Sequence, residues 1–242
     1  MKTLLLAWTV ALASLGPPSA ALAADPIRET RVATGFSRIE IDGQADVILR
    51  QGTSEGVTIE ATAQALRRIE TEVHDRTLSI TLIDQRHWWD WILSGGATRS
   101  PRITINFINL ERIEAAGSVR FTASTLKTDD LRMDFSGACT LRIGDLQASR
   151  LRLDGAGAIK AELAGNVAAQ FVDLSGASSY QAGGLVSETA ALQVSGAGKA
   201  LINASKTLKV EISGAGAVQY VGNPKLEQEI SGVGKITRRD AP

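Results

Sequence analysis

The sequence predicts an all-β chain, a right-handed parallel β-helix with coils of about 18–21 residues and glycine corners. Three observations predict it. The first is a recurring S-G-A-G motif, clearest at Ser195-Gly196-Ala197-Gly198, Ser213-Gly214-Ala215-Gly216 and Ser231-Gly232-Val233-Gly234. Counting the variants, the first glycines fall at Gly117, Gly137, Gly155, Gly176, Gly196, Gly214 and Gly232. So regular a spacing means one coil per repeat, each burying its apolar side by stacking on the next. The second is period-two alternation on both sides of each glycine, the mark of a strand with one buried face. The third is a pair of charged rows between the apolar positions. A strand that crosses over to a parallel neighbour does so with right-handed sense.

The elements follow in chain order. Lys2, the apolar stretch Leu4 to Leu15, the break at Pro17-Pro18 and the A-x-A site Ala21-Leu22-Ala23 read as an export signal over residues 1–23. The stretch is too short for a good membrane span. The mature chain is expected to start at Ala24, and with no cysteine near the site no lipid anchor is expected. Residues 24–35 read as a linker. Residues 36–110 form a less regular β part with strand-like runs at Val57 to Ala61, Leu78 to Leu82 and Arg102 to Phe107. The stretch between Gly43 and Gly117 leaves room for several coils or for a cap, and Ala65 to Ile69 suits a short helical turn. The regular coils occupy 111–237, and 238–242 is a charged tail whose Pro242 blocks an edge.

Within a coil, aligned on the glycines above and on Gly43, two positions before the glycine stand Ile41, Ala115, Phe135, Leu153, Leu174, Val194, Ile212 and Ile230. Four before it stand Ile39, Ile113, Met133, Leu151, Val172, Leu192, Val210 and Gln228. These point inward. Three before it, Glu40, Glu114, Asp134, Arg152, Asp173, Gln193, Glu211 and Glu229 make a mostly acidic outward row. Five before it, Arg38, Arg112, Arg132, Arg150, Phe171, Ala191, Lys209 and Glu227 make a mostly basic one. Such rows read as a salt-laced, solvated face. The glycines read as structural corners. A second glycine at Gly157, Gly198, Gly216 and Gly234 is expected to supply positive φ. Each preceding Ser or Asp is expected to hydrogen-bond the turn.

Composition narrows function. Removing the signal leaves 25 basic against 26 acidic residues. That balance excludes a nucleic-acid partner, which needs a positive face. The lone Cys139 cannot form an internal disulfide and reads as a buried thiol. The repeated serines lie in no G-x-S-x-G elbow, and the glycines open no helix, so neither a nucleophile nor a dinucleotide cofactor is expected. No metal site is expected either, and beyond the signal no second long apolar run suggests an integral membrane protein. A polysaccharide-processing enzyme would need converging carboxylates, whereas these acids stand in a ladder. One segment departs from the repeat: residues 86–96, which hold Trp88, Trp89 and Trp91 beside Arg86 and His87. It suits either an amphipathic lid or an aromatic patch for a glycan, a membrane surface or an envelope protein.

The opening Phe36-Ser37-Arg38-Ile39-Glu40-Ile41-Asp42-Gly43-Gln44-Ala45-Asp46-Val47-Ile48-Leu49-Arg50-Gln51-Gly52 resembles the start of the head GIN domain family of auto-transporter adhesins. So do Leu110-Glu111-Arg112-Ile113-Glu114-Ala115-Ala116-Gly117-Ser118 and the later S-G-A-G coils, and the likeness covers about residues 32 to 237. Asn109 stands where the family pattern has a proline before Leu110. The resemblance implies a right-handed parallel β-helix in an exported bacterial protein, and brings no catalytic residues. The reading is a non-enzymatic cell-envelope scaffold, periplasmic or secreted, that binds in the manner of an adhesin.

Overall fold

A computed structural model describes residues 26–83 and 100–240. The fold is all-β apart from one turn of helix. Its elements are β1 (Ile27–Arg31), β2 (Arg38–Gln51), β3 (Gly56–Ala61), α1 (Ala63–Leu66), β4 (Ile69–His74), β5 (Thr77–Leu82), β6 (Arg102–Phe107), β7 (Arg112–Lys127), β8 (Asp130–Val221) and β9 (Lys225–Arg238). They form one open sheet in the order β1-β3-β6-β2-β7-β8-β9, with β5 beside β2 and β4 beside β5. Fully extended, the 92 residues of β8 would span ~300 Å. The strand therefore folds back on itself repeat by repeat.

The repeats stack in parallel register. Ile39 pairs with Ile113 and Gly43 with Gly117. Ile113 pairs with Met133 and Gly117 with Gly137. At the far end Gly214 pairs with Gly232 and Val218 with Ile236. The inward positions are almost completely buried, from Ile39 and Ile41 through Phe121 and Leu141 to Val210 and Ile212. Phe121 and Phe135 stack face to face with ring centroids 5.5 Å apart.

The glycine column corrects the sequence reading at one place. Among the left-handed glycines, the corner column is Gly43, Gly117, Gly137, Gly157, Gly176, Gly196, Gly214 and Gly232. Gly157, not Gly155, holds the corner of its repeat, and the spacing of the column from Gly117 onward becomes more even. A Cβ on Gly157 would lie 2.3 Å from the Gly137 carbonyl oxygen, and one on Gly176 would lie 2.5 Å from that of Gly157. Each corner glycine thus rides on the backbone of the one before.

Gly155 faces the core instead, in the inward position that Phe135 and Leu174 take in their repeats. A Cβ there would meet Leu174 Cδ2 at 2.8 Å and Ile159 Cγ1 at 3.0 Å. The second glycines Gly198, Gly216 and Gly234 also face inward and carry no positive φ. Cβ atoms on Gly198 and Gly216 would meet Val194 at 2.6 Å and Ile212 at 2.9 Å. They are small because the inward residue four positions earlier is large. Gly155 with Ile159 is the same exchange reversed, so one repeat's volume is shared between two facing positions, as close packing demands. The serine role also changes. Ser136 and Ser175 donate to the carbonyls of Ala115 and Gly155 in the preceding repeat, each at a long 3.4 Å, rather than to their own turns.

The N-terminal part overturns the all-parallel expectation. β5 and β6 pair parallel to the two arms of β2, which carries Gly43 between them. Beyond them β3 pairs antiparallel with β6, β1 with β3 and β4 with β5. The sheet is mixed. The residues between Gly43 and Gly117 do not extend the glycine column; Gly43 and Gly117 are direct neighbours. The β3, β5 and β6 runs fall where alternation places them, β1 lies within 24–35, and Thr62 caps α1 by accepting from the Ala65 N–H. β4 and β5 are joined by Asp75 and Arg76, both at positive φ. That is the two-residue turn whose twist suits a hairpin.

One buried polar network interrupts the apolar interior. Tyr180, fully enclosed, donates to Gln170 Oε1 at 2.8 Å. Gln170 Nε2 donates to Ser187 Oγ at 2.8 Å and to the Asn203 carbonyl at 3.2 Å. Burial pushes the Tyr180 phenol far above its ordinary value. Ser178 Oγ is the one buried side-chain polar atom without a hydrogen-bond partner among the described residues.

Candidate functional site

With Gly157 at the corner, the charged rows become more regular than the sequence suggests. Asp154 takes the acidic place and Arg152 the basic one. The acidic row is then Glu40, Glu114, Asp134, Asp154, Asp173, Gln193, Glu211 and Glu229. The basic row is Arg38, Arg112, Arg132, Arg152, Phe171, Ala191, Lys209 and Glu227. Strand alternation turns both rows to one face, and parallel register stacks each in a column.

The ion pairs zigzag between the rows. Arg112 reaches Glu114 at 2.7 Å and Asp134 at 2.9 Å. Arg132 reaches Asp134 at 3.0 Å and Asp154 at 3.3 Å, and Arg152 reaches Asp154 at 2.8 Å. Each of Arg112 and Arg132 thereby ties its own repeat to the next. Burial raises the Asp134 carboxyl, but hydrogen bonds and charge from Arg132 and Arg112 outweigh it and hold the group below its ordinary value. The bond to Asp134 and its charge raise Arg132 in turn, and Asp154 does the same for Arg152.

Above the acidic row runs a shallow groove of about 490 Å3, lined by Glu40, Asp42, Glu114, Asp134, Asp154 and Asp173 with small Ala and Ser neighbours. A smaller depression of about 180 Å3 continues it past Phe171 to Gln193, Lys209 and Glu211. A general acid needs a carboxyl whose pKa is raised toward neutrality, and Asp134 is shifted the other way. Among the described residues no three His, Cys, Asp or Glu side chains are placed to hold a metal ion.

The ladder makes a prediction. Asp134→Asn should cost about 1 kcal/mol at neutral pH, at the upper end for partly exposed ion pairs. Because the folded pKa lies below the unfolded value of about 3.9, the contribution is present above that value and is lost as pH falls through the folded pKa. Urea titrations of both proteins should differ at neutral pH and converge in strong acid.

The proposed binding residues Arg86, His87, Trp88, Trp89 and Trp91 lie outside the described residues. His74 is exposed and paired with Asp75 at 3.1 Å. Cys139 is buried, and burial raises its thiol pKa, so it stays protonated. The groove itself was missed at sequence level. Its signal was present in Arg152, the lone base in an otherwise acidic or amide row.

The fold and the groove define a repeat-built β scaffold whose outward charges are ion-paired across repeats from Arg112 to Asp154. The chain belongs to the family described as "Putative auto-transporter adhesin, head GIN domain", which matches residues 35–224. Among curated proteins none matches it. Among solved structures it is similar to a putative adhesin of Bacteroides fragilis, with 20% identity, 89% of this chain and 96% of that one covered, and a TM-score of 0.79. A putative lipid binding protein of Parabacteroides distasonis is similar at 18% identity, covering 90% and 98%, with a TM-score of 0.71. A putative adhesin of Parabacteroides merdae follows at 20% identity, 90% and 97%, and a TM-score of 0.65. At these identities the likeness is one of fold. Among the described residues no helix is long and apolar enough to cross a membrane.

Proposed function

We propose that the chain is a non-enzymatic, exported envelope protein whose repeats wind as a right-handed parallel β-helix and serve as an adhesin-like binding scaffold. The observation that carries this reading is the ion-paired ladder. From Arg112 to Asp154 its arginines and carboxylates neutralise one another across repeats, which stiffens that stretch of the face and holds the Asp134 carboxyl ionised rather than poised as a general acid. The export signal over 1–23 and membership of an adhesin-described family support the same reading. Contact with a glycan or an envelope protein falls to the aromatic segment, with Trp88, Trp89 and Trp91 as stacking faces and Arg86 and His87 as polar companions.

Co-sedimentation of the mature chain with purified cell-wall glycan tests this. Retention in the pellet without release of new reducing ends is expected, and the Trp88→Ala, Trp89→Ala, Trp91→Ala triple variant should lose most of it. New reducing ends would establish the polysaccharide-processing alternative. Unchanged retention of the triple variant would move the contact away from the aromatic segment.

A further inference from the structure

We infer that the chain pairs tail to tail with a second copy of itself along β9, about a two-fold axis through Gly232. The two ends of the sheet are unlike. At one end β1 and β4 are short edges of 5 and 6 residues rich in Arg and Glu. Short, charged edges resist further pairing. At the other end β9 is a 14-residue strand paired on one side, to β8. Among the described residues nothing covers its second side, so a row of backbone N–H and C=O groups stays open. A side chain that is sealed one repeat earlier is uncovered here: Ile212 is 0% exposed, whereas Ile230 above it is 41% exposed.

A second copy fits this edge better than an unrelated strand because β9 is complementary to itself when reversed. An antiparallel pairing centred on Gly232 sets Glu229 opposite the partner copy's Lys235, and Lys235 opposite its Glu229. The one ion pair within β9 joins Lys225 to Glu227, which leaves Glu229 and Lys235 free of ion-pair partners among the described residues. Glu229 instead stands over Glu211 of the preceding repeat, a like-charge neighbour that an incoming lysine relieves. The inward side matches too. Ile230 falls opposite Gly234, the same large-and-small exchange that Val194 makes with Gly198 and Ile212 with Gly216, and Gln228 falls opposite Ile236. At the strand's C-terminal end Arg238 and Arg239 come near Lys225, so pairing stops there. A contact of this kind uses the same patch on both copies and closes after two, rather than growing into a fibre.

The experiment is a charge swap on the mature chain at two exposed positions. Light scattering after gel filtration, at tens of micromolar protein and low salt, should show a dimer. Glu229→Lys and Lys235→Glu should each raise the dimer dissociation constant more than tenfold. Mixing the two variants should restore a dimer, because each then meets its complement, and so should the double variant Glu229→Lys, Lys235→Glu. Added salt should weaken all of these contacts. A monomeric wild type overturns the inference. If its β9 amides are protected from hydrogen exchange, another segment of the chain covers the edge; if they exchange freely, the edge is open to solvent. A dimer that ignores both single substitutions overturns the pairing about Gly232.

Discussion

Gly157→Val is expected to unfold the regular part of the protein or to cost about 3–5 kcal/mol, because two penalties combine. The residue sits at φ +116°, where a β-branched side chain is strained, worth about 1–3 kcal/mol. Its Cβ would also lie 2.3 Å from the Gly137 carbonyl oxygen. That obstacle is backbone, which cannot rotate aside, so the repeats must part at a further cost of about 1–3 kcal/mol. Gly155→Ala is the control. It lies two residues away and is buried, and its Cβ would meet the side chains of Leu174 and Ile159 rather than backbone. Small side-chain shifts absorb that, at about 1–2 kcal/mol. Denaturant midpoints of the two variants decide which glycine is the corner. Equal losses would remove the distinction.

The second large effect is in the buried network. Gln170→Leu should cost about 2–4 kcal/mol, because it strands the enclosed Tyr180 hydroxyl and removes a donor from Ser187. Tyr180→Phe alone should cost about 1–3 kcal/mol by orphaning Gln170 Oε1. The double variant should cost clearly less than the two single losses together. With both groups gone no stranded pair remains, and Ser187 still donates to the Asn203 carbonyl at 2.6 Å. Strict additivity in equilibrium unfolding would mean that the network contributes nothing as a unit. Gln170 stands in the inward column of Leu131, Leu151 and Leu208. The network therefore marks one repeat as different from its neighbours, and a stack of similar repeats gains a fixed register from such a mark.

The repeats were legible because stacking demands the same residue at the same phase. A column that must be glycine writes itself into the sequence once in every repeat. The misreading at Gly155 has a simple cause. Asp154-Gly155-Ala156-Gly157 imitates Ser-Gly-Ala-Gly, and either glycine satisfies the motif taken alone. The charged columns break the tie, since Arg152 interrupts the acids under one phase and Asp154 continues them under the other. The N-terminal part was less legible. Alternation identified β3, β5 and β6 as strands, but a period of two carries no direction, so the antiparallel pairing of β3 with β6 was not encoded locally. β4 escaped notice because Ile69, which opens its alternation with Thr71 and Val73, also ends the stretch Ala65 to Ile69 that suits a helical turn. The two rows were visible as charge patterns. The groove needed three-dimensional register, because its walls come from successive repeats that are distant along the chain.

The glycine column also limits how such a chain can change length. Each corner rests on the carbonyl of the previous one, so a residue gained or lost between corners, as in the steps of 18, 19 and 20 residues from Gly117 onward, has to be absorbed before the chain returns to that seat. Larger changes of length come as whole repeats, each adding about 4.8 Å to the stack. A partial insertion is tolerated where the chain can leave the stack and return to the same phase. Between Gly43 and Gly117 it does so: the chain makes a long detour through β3, β4, β5 and β6, and the two glycines still meet as immediate neighbours. Novelty in this architecture is confined to detours of that kind, and the aromatic segment 86–96 lies inside that one.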